Sequence, residues 1–352
     1  MDIYVLDGLN GVKDILENFK SSIWDVQYNG LNDFQLIAPA TEKNLSLLTY
    51  GAYLVRAQDA TANGFQNVMV CENIKIDISF EEGWLLTVTG RGLKSILERR
   101  IVWGQKNISG RAESSIRSLI TSEVISPSIA ARAIPNFILG ADKSLQKTLE
   151  TQLFGENLGS WIQETCSMLG YGWDVSIESG NYVFQIYEGT NRTSGASRVV
   201  FSPTFDNLLS SSYQNNREAF QNAALIGGEG EGTAKRTADI GTASGLDRFE
   251  AYVDGSSVSS NGEIITEETY INMLKGYGET QLSQKRFSEK FEGEVEPAGI
   301  FKLNEDYFLG DLVLIENELG ISAISRINEI IYAEDENGSS VVPTFSEWEV
   351  ET

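Results

Sequence analysis

The 352-residue sequence has no histidine, two cysteines, four methionines and six prolines, and its 27 basic side chains are outnumbered by 50 acidic ones. Each shortage removes a class of function. Without imidazole there is no Ser-His-Asp or Cys-His nucleophile, no His-bearing zinc hydrolase and no histidine general acid or base. Cys71 and Cys166 are too few for a four-cysteine zinc site. Cys71 sits in the alternating stretch "NVMVCENIKIDIS" and Cys166 on the apolar side of "NLGSWIQETCSMLG", so both read as buried thiols. The apolar runs, such as "DLVLIE", are far shorter than the roughly 20 residues of a membrane span. "MDIYVLDG" lacks the basic flank and apolar core of a secretion signal. Folding in the cytoplasm without membrane insertion is therefore expected. A net charge of −23 opposes a nucleic-acid-binding surface, which draws its affinity from Lys and Arg on phosphates. What survives for an enzyme is a carboxylate pair of the glycosidase kind, or a lysine nucleophile to which no motif points.

The most conspicuous feature present is "ALIGGEGEGTAKRTADIG", residues 224–241. A glycine-rich loop after an apolar run is where a phosphate cradle would sit. This one places Glu229 and Glu231 among Gly227, Gly228, Gly230 and Gly232, and Lys235 and Arg236 follow without a helix start or an adjacent Ser/Thr partner. The nucleotide reading fails, no cofactor is expected, and an acidic loop between two strands remains. Charge is also segregated along the chain. Residues 91–147 hold ten basic and four acidic side chains, and residues 289–352 hold three basic and sixteen acidic. This pattern fits the basic segment of one subunit facing the acidic segment of a neighbour in a head-to-tail ring.

Periodicity divides the chain into β, then α+β, then β. "SSIWDVQYNG" and "NDFQLIAPA" alternate and bracket a turn, Thr41 is a candidate cap for a short helix, and further strands follow to "GWLLTVTG". "RGLKSILERR" and "ESSIRSLITSEVI" read as helices, "NLGSWIQETCSMLG" as a third with Gly170 as its stop, and "YGWDVSIESGNYVFQIYEG" as a hairpin. Strands return from "SRVVFSP", interrupted by the helix "TEETYINMLKGYGETQLSQK", and end on a hairpin at "DENGSS". In "RRIVWGQ", Arg99, Arg100 and Trp103 are candidates for an inter-subunit contact, since Arg and aromatics concentrate in interface hot spots. Equally, Trp103 fits a core position and the arginines a solvated helix end.

The segments "SSIWDVQYNGLNDFQLIAPATEKNLSLL", "TVTGRGLKSILERRIVWGQ", "IPNFILG", "VVFSPTFDNLLSSSYQNNREAFQNAALIGGEGEG", "GLDRFEAYVDGSSVS", "FEGEVEP", "YFLGDLVLIE" and the closing "PTF" are collinear over nearly the whole chain. In that order and spacing the sequence resembles the tail-hub proteins of long-tailed phages and phage-like particles, whose fold is similar to the baseplate hub of contractile tails. The resemblance implies an α+β, mainly β fold of two small β-barrel-like domains and an α+β middle domain. The expected boundaries are 1–104, 105–198 and 199–352, with a helix inserted at about 266–286 and barrels that exchange strands. It further implies a non-enzymatic homotrimer at the virion tail tip or baseplate, assembled in the bacterial host cytoplasm. Its partners would be the tail tube or distal tail ring on one side and the spike, fibre or tape-measure end on the other. DNA would pass through without specific binding, and Gly228, Glu229, Gly230 and Glu231 become candidates for a lumen- or tube-facing loop. Two alternatives stand beside it: a hub-linked cell-wall-degrading enzyme of glycosidase type, and a carbohydrate-binding receptor module, which the 10% aromatic content permits.

Overall fold

The computed structural model describes residues 2–79, 83–262, 264–285, 288–295, 299–320 and 322–345. Alternation builds the principal sheet. In strand Asp33–Pro39, Phe34, Leu36 and Ala38 are buried while Asp33 and Gln35 are exposed, the pattern of an antiparallel strand packed on one side only. The main run of strands is, in spatial order, Leu208–Asn216, Ser288–Val295, Gly338–Phe345, Ser322–Asp335, Ser21–Gln27, Asp33–Pro39, Gly83–Gly92 and Met69–Ser79. It continues through Tyr53–Arg56, Ile3–Leu6 and Val12–Leu16. The two ends of the chain meet in this sheet, because Ser22–Gln27 pairs antiparallel with Glu329–Glu334. Among the described residues the strands make an open path rather than a closed barrel. The fold is otherwise the expected mainly β one, with helices set among the strands.

Local chemistry accounts for the helix ends. Helix α1, Glu42–Leu47, starts where the Thr41 hydroxyl accepts the Asn44 amide at 3.2 Å. Helix α2 is Ala112–Ile120, and helix α3, Leu158–Leu169, is capped by Asn157 and stops at Gly170 in the left-handed region, φ 66°. "RGLKSILERR" differs from expectation: Leu93–Arg99 is a 3₁₀ helix. Five consecutive buried residues, Leu93 to Leu97, leave no exposed stripe to select a 3.6-residue repeat. Helices α2 and α3 and the hairpin of Gly172–Glu178 with Asn181–Tyr187 surround a core that holds Ile116, Trp161, Cys166, Trp173 and Phe184. The hairpin turns on Ser179 and Gly180, both at positive φ. Cys71 and Cys166 are buried and unpaired, and burial pushes both thiols up to about 12.

A small unit is inserted between Leu208–Asn216 and Ser288–Val295, which pair with each other. It consists of a three-stranded sheet, Thr237–Ile240, Ala223–Gly227 and Glu250–Asp254, covered by helix α4, Glu267–Ser283. Arg286, at the end of the expected helix, lies outside the described residues. Gly276 lets α4 approach strand Thr148–Phe154, since a Cβ there would fall 1.8 Å from the Glu150 carbonyl oxygen.

Candidate functional site

The glycine-glutamate loop joins Ala223–Gly227 to Thr237–Ile240 inside the inserted unit. Gly228 is buried beneath the Tyr270 hydroxyl, where a Cβ would come within 2.2 Å. Gly230 sits at φ 94°, a turn glycine's conformation. Glu229 points inward. Its carboxylate accepts the Ser259 hydroxyl at 2.7 Å, the Ser260 amide at 2.9 Å, the Ser260 hydroxyl at 2.7 Å and the Arg236 guanidinium at 3.1 Å. Its own amide donates to the Tyr270 hydroxyl at 2.7 Å, and Arg236 stacks 3.6 Å over the Tyr270 ring while pairing with Glu267. Partial burial would raise the Glu229 pKa, but the donors from Ser260 and Ser259 and the charge of Arg236 hold it below the ordinary value. Glu231, two residues on, is exposed. The loop thus contains one internal clamp and one outward charge.

Arg99, Arg100 and Trp103 surround a different polar centre. Arg99 is exposed; Arg100 donates to the carbonyls of Arg132 at 2.7 Å and Arg99 at 2.9 Å. Burial, then the nearby charges of Arg132 and Arg99, lower the Arg100 pKa. Trp103 is 51% exposed, lies 4.9 Å under the Arg132 guanidinium and donates its amide to Glu123 at 3.1 Å. Glu123 is buried and is matched by Lys106 at 3.2 Å and Arg132 at 2.9 Å. The basic segment is largely spent on internal pairs of this kind. Arg91 binds Glu72 and Glu98, Arg111 binds Asp142, and Lys94 is wholly buried with its ammonium on the carbonyls of Gln27 and Gly30.

The feature that sequence reading missed is the free face of the main sheet. Ladder register aligns Asn73, Thr89, Gln35, Ile23, Ala333 and Ser340 in one row across six strands, on the side opposite Trp24, Phe34 and Val88. A neighbouring row carries Lys75, Thr87, Ile37 and Ser21. Where the N-terminal and C-terminal strands join, Asp25 stands directly across from Asp33, with Glu329 nearby. Asp25 is 7% exposed; the Gln27 amide donates to one oxygen at 2.5 Å, and the other accepts no hydrogen bond from a donor among the described residues. Burial pushes the Asp25 carboxyl up to about 8 against the Gln27 hydrogen bond, with Glu329 and Asp33 adding to the rise. Asp33 is raised too, by burial and then by Glu329. Alternation marks such a face in each strand separately, but only the register shows that the rows are continuous.

The model of the family described as siphovirus ReqiPepy6 Gp37-like protein matches residues 2–345. The chain belongs to this family. No curated protein matches its sequence. Three solved structures share the fold of this Gp37-like chain along nearly their whole lengths. The prophage MuSo2 43 kDa tail protein from Shewanella oneidensis is 13% identical, with a TM-score of 0.57, covering 98% of either chain. The tail protein from Neisseria meningitidis MC58 is 12% identical, with a TM-score of 0.56, covering 98% of this chain and 96% of that one. Prophage tail protein gp18 from Listeria monocytogenes EGD-e is 13% identical, with a TM-score of 0.55, covering 100% and 96%. The Gp37-like chain therefore has a phage tail-protein fold.

Two hollows lie at the seat of the inserted unit in this Gp37-like chain. One, of about 830 Å³, runs between α4 and strand Thr148–Phe154 and is lined by Glu150, Met168, Phe220 and Lys275. The other, of about 180 Å³, holds Trp161, Tyr277, Glu156 and Glu164, and burial raises the Glu164 carboxyl. The three carboxylates of the sheet face line neither hollow. Among the described residues no group of His, Cys, Asp and Glu side chains is arranged to hold a metal ion.

Proposed function

We propose that this protein is a structural tail-hub subunit. Three copies close a ring that joins the tail tube or distal tail ring to the spike, fibre or tape-measure end. Its place would be the virion tail tip or baseplate, after assembly in the host cytoplasm. The observation that carries this reading is the eight-strand run from Leu208–Asn216 to Met69–Ser79, in which Ser21–Gln27, Asp33–Pro39 and Gly83–Gly92 bury Trp24, Phe34 and Val88 on one side and leave Ile23 and Gln35 exposed on the other. Among the described residues it is edged by the Leu208–Asn216 ladder at one end and, past Cys71, by Met69–Ser79 at the other. Such a sheet can continue from copy to copy, and a head-to-tail contact whose rotation closes leaves no edge bare. The family and the shared fold support a tail role.

The free face then lines the channel. Its rows are mainly Thr, Asn, Gln and Ser, and Lys75 among them is tied to Asp77 at 2.9 Å, so phosphates meet little free positive charge and DNA slides without being held. Light scattering over a range of protein and salt concentrations tests the assembly. A trimer supports the ring. A monomer at every concentration that also hydrolyses purified cell wall would instead support the glycosidase alternative.

A further inference from the structure

Strand Met69–Ser79 pairs on its inner side with Gly83–Gly92 along its length, but on its outer side with Tyr53 and Leu54 only at Val70 and Met69. Past Cys71, the stretch Asn73–Ser79 has no outer partner among the described residues. On one face it presents Ile74, Ile76 and Ile78, which are 36%, 48% and 65% exposed, with Trp84 beside Ile78 at 61%. These extend outward the apolar face of Val88 and Leu86, their cross-strand neighbours. The other face carries Lys75 and Asp77, 2.9 Å apart and both well exposed. Bare edges are ordinarily blunted by proline, a bulge or a net charge. Here the bulge comes earlier, between Cys71 and Asn73, the stretch contains no proline, and Lys75 is offset by Asp77.

The segment reads Asn-Ile-Lys-Ile-Asp-Ile-Ser and is self-complementary. Laid antiparallel on a copy of itself about Ile76, it sets Ile74 against Ile78, Ile76 against Ile76, and Lys75 against Asp77 twice. We infer that in the free protein this edge is capped by the same edge of a second copy, in a two-fold antiparallel pair centred on Ile76. The inference rests on the ring reading in one respect: the strand that the pair occupies is one a ring would use, so ring closure has to displace the cap. Capping also has a purpose there, since a head-to-tail contact that fails to close grows open filaments. Seven residues a side, against the roughly 20–30 of a stable interface, make the pair weak and reversible.

Sedimentation across protein concentrations, with cysteine cross-linking, tests the pair. An antiparallel pair brings facing Cα atoms to about 4.5–5.5 Å, within disulfide range. Ile76→Cys should therefore oxidise to a covalent dimer, the native thiols being buried and unreactive. Lys75→Asp or Asp77→Lys alone should weaken dimerisation about tenfold, since each turns two ion pairs into two repulsions. The double exchange should restore it. All of these positions are exposed, so the variants should fold, as unchanged thermal unfolding would verify. A protein that is monomeric throughout, or an Ile76→Cys protein that gives no dimer on oxidation, overturns the pair. So does a trimer whose mass is indifferent to Lys75→Asp, and that outcome leaves the ring standing. In Ile76→Cys/Ser212→Cys, cross-linked closed trimers without any 76-to-76 product would likewise favour the ring and remove the pair.

Discussion

Glu229 and Asp25 are both drawn away from water, yet their carboxyls shift in opposite directions. Glu229 is met by two hydroxyls, one amide and a guanidinium. Asp25 is met by a single amide, has one oxygen that accepts no hydrogen bond from a donor among the described residues, and faces two further acids. Burial raises either pKa; the partners decide whether the rise survives. The first group stabilises the inserted unit in its charged form. The second stabilises the join between the chain's two ends only in its protonated form. One protein therefore has a part that weakens in acid and a part that weakens in base.

The largest effect should come from the ring that supports the Glu229 clamp. Tyr270 is fully buried, holds the Glu229 amide and lies under Arg236. Tyr270→Ala should cost about 3–5 kcal/mol, as for other buried aromatics. Hydrogen exchange should show the loss confined to residues 217–285, with the Ser22–Gln27 ladder still protected. Equal loss of protection in both would mean that the inserted unit and the main sheet unfold as one. Next in size is Glu229→Gln, at roughly 1–3 kcal/mol, because the Gln oxygen can serve only one of the two donor sets and Arg236 is left with Glu267 as its charge partner. The sign with pH follows from a lowered folded pKa. The Glu229 contribution is present above the unfolded value near 4.5 and is lost as pH falls through the folded one. The substitution should cost most at neutral pH and progressively less in acid.

Asp25 should behave in the reverse sense. Its folded carboxyl titrates at about 8 against an unfolded value of 3.8, so its contribution is complete below pH 3.8 and lost as pH rises through about 8. Asp25→Asn keeps the Gln27 contact geometry and cannot ionise. Its melting temperature should therefore gain on the parent protein as pH is raised from 5 to 9, by a few degrees at the upper end. A parallel pair of melting curves across that range would show that Asp25 is already charged at neutral pH and that water reaches it.

Much of this fold is legible in the sequence where one strong local rule operates. The Thr41 hydroxyl starts a helix and the left-handed backbone of Gly170 stops one, the Ser179–Gly180 turn forms a hairpin, and alternation marks Asp33–Pro39. Strand Gln105–Arg111 is not legible, because "QKNISGR" has Ile108 as its sole apolar anchor and gains its place only by pairing with Thr148–Phe154. Gly276 and Gly278 weaken the helical pattern of α4, and the reason lies elsewhere in the chain: Glu150 and Ile226 occupy the space a side chain would need. Charge was legible as composition but not as surface. The excess of basic residues in 91–147 suggests a docking face, whereas Arg91 and Lys147 reach Glu72 and Glu188 outside the segment and Lys94 is buried on backbone carbonyls. The free sheet face and the Asp25 cluster depend on register between residues some 300 positions apart, which no local pattern encodes.

The smallest effect separates two glutamates that look equivalent on paper. Glu231→Lys changes an exposed side chain of the loop and should alter stability by no more than about 0.5 kcal/mol. Glu229→Lys would place a cation against Arg236 and two hydroxyls and disrupt the inserted unit, so a defect in that variant says nothing about a channel. Glu231→Lys isolates the outward charge. If the loop faces the path of DNA, reversing this charge in every copy should slow DNA delivery at low salt and recover as salt screens the contact, with particle assembly intact. Delivery that stays normal at low salt would take the loop out of the path of DNA.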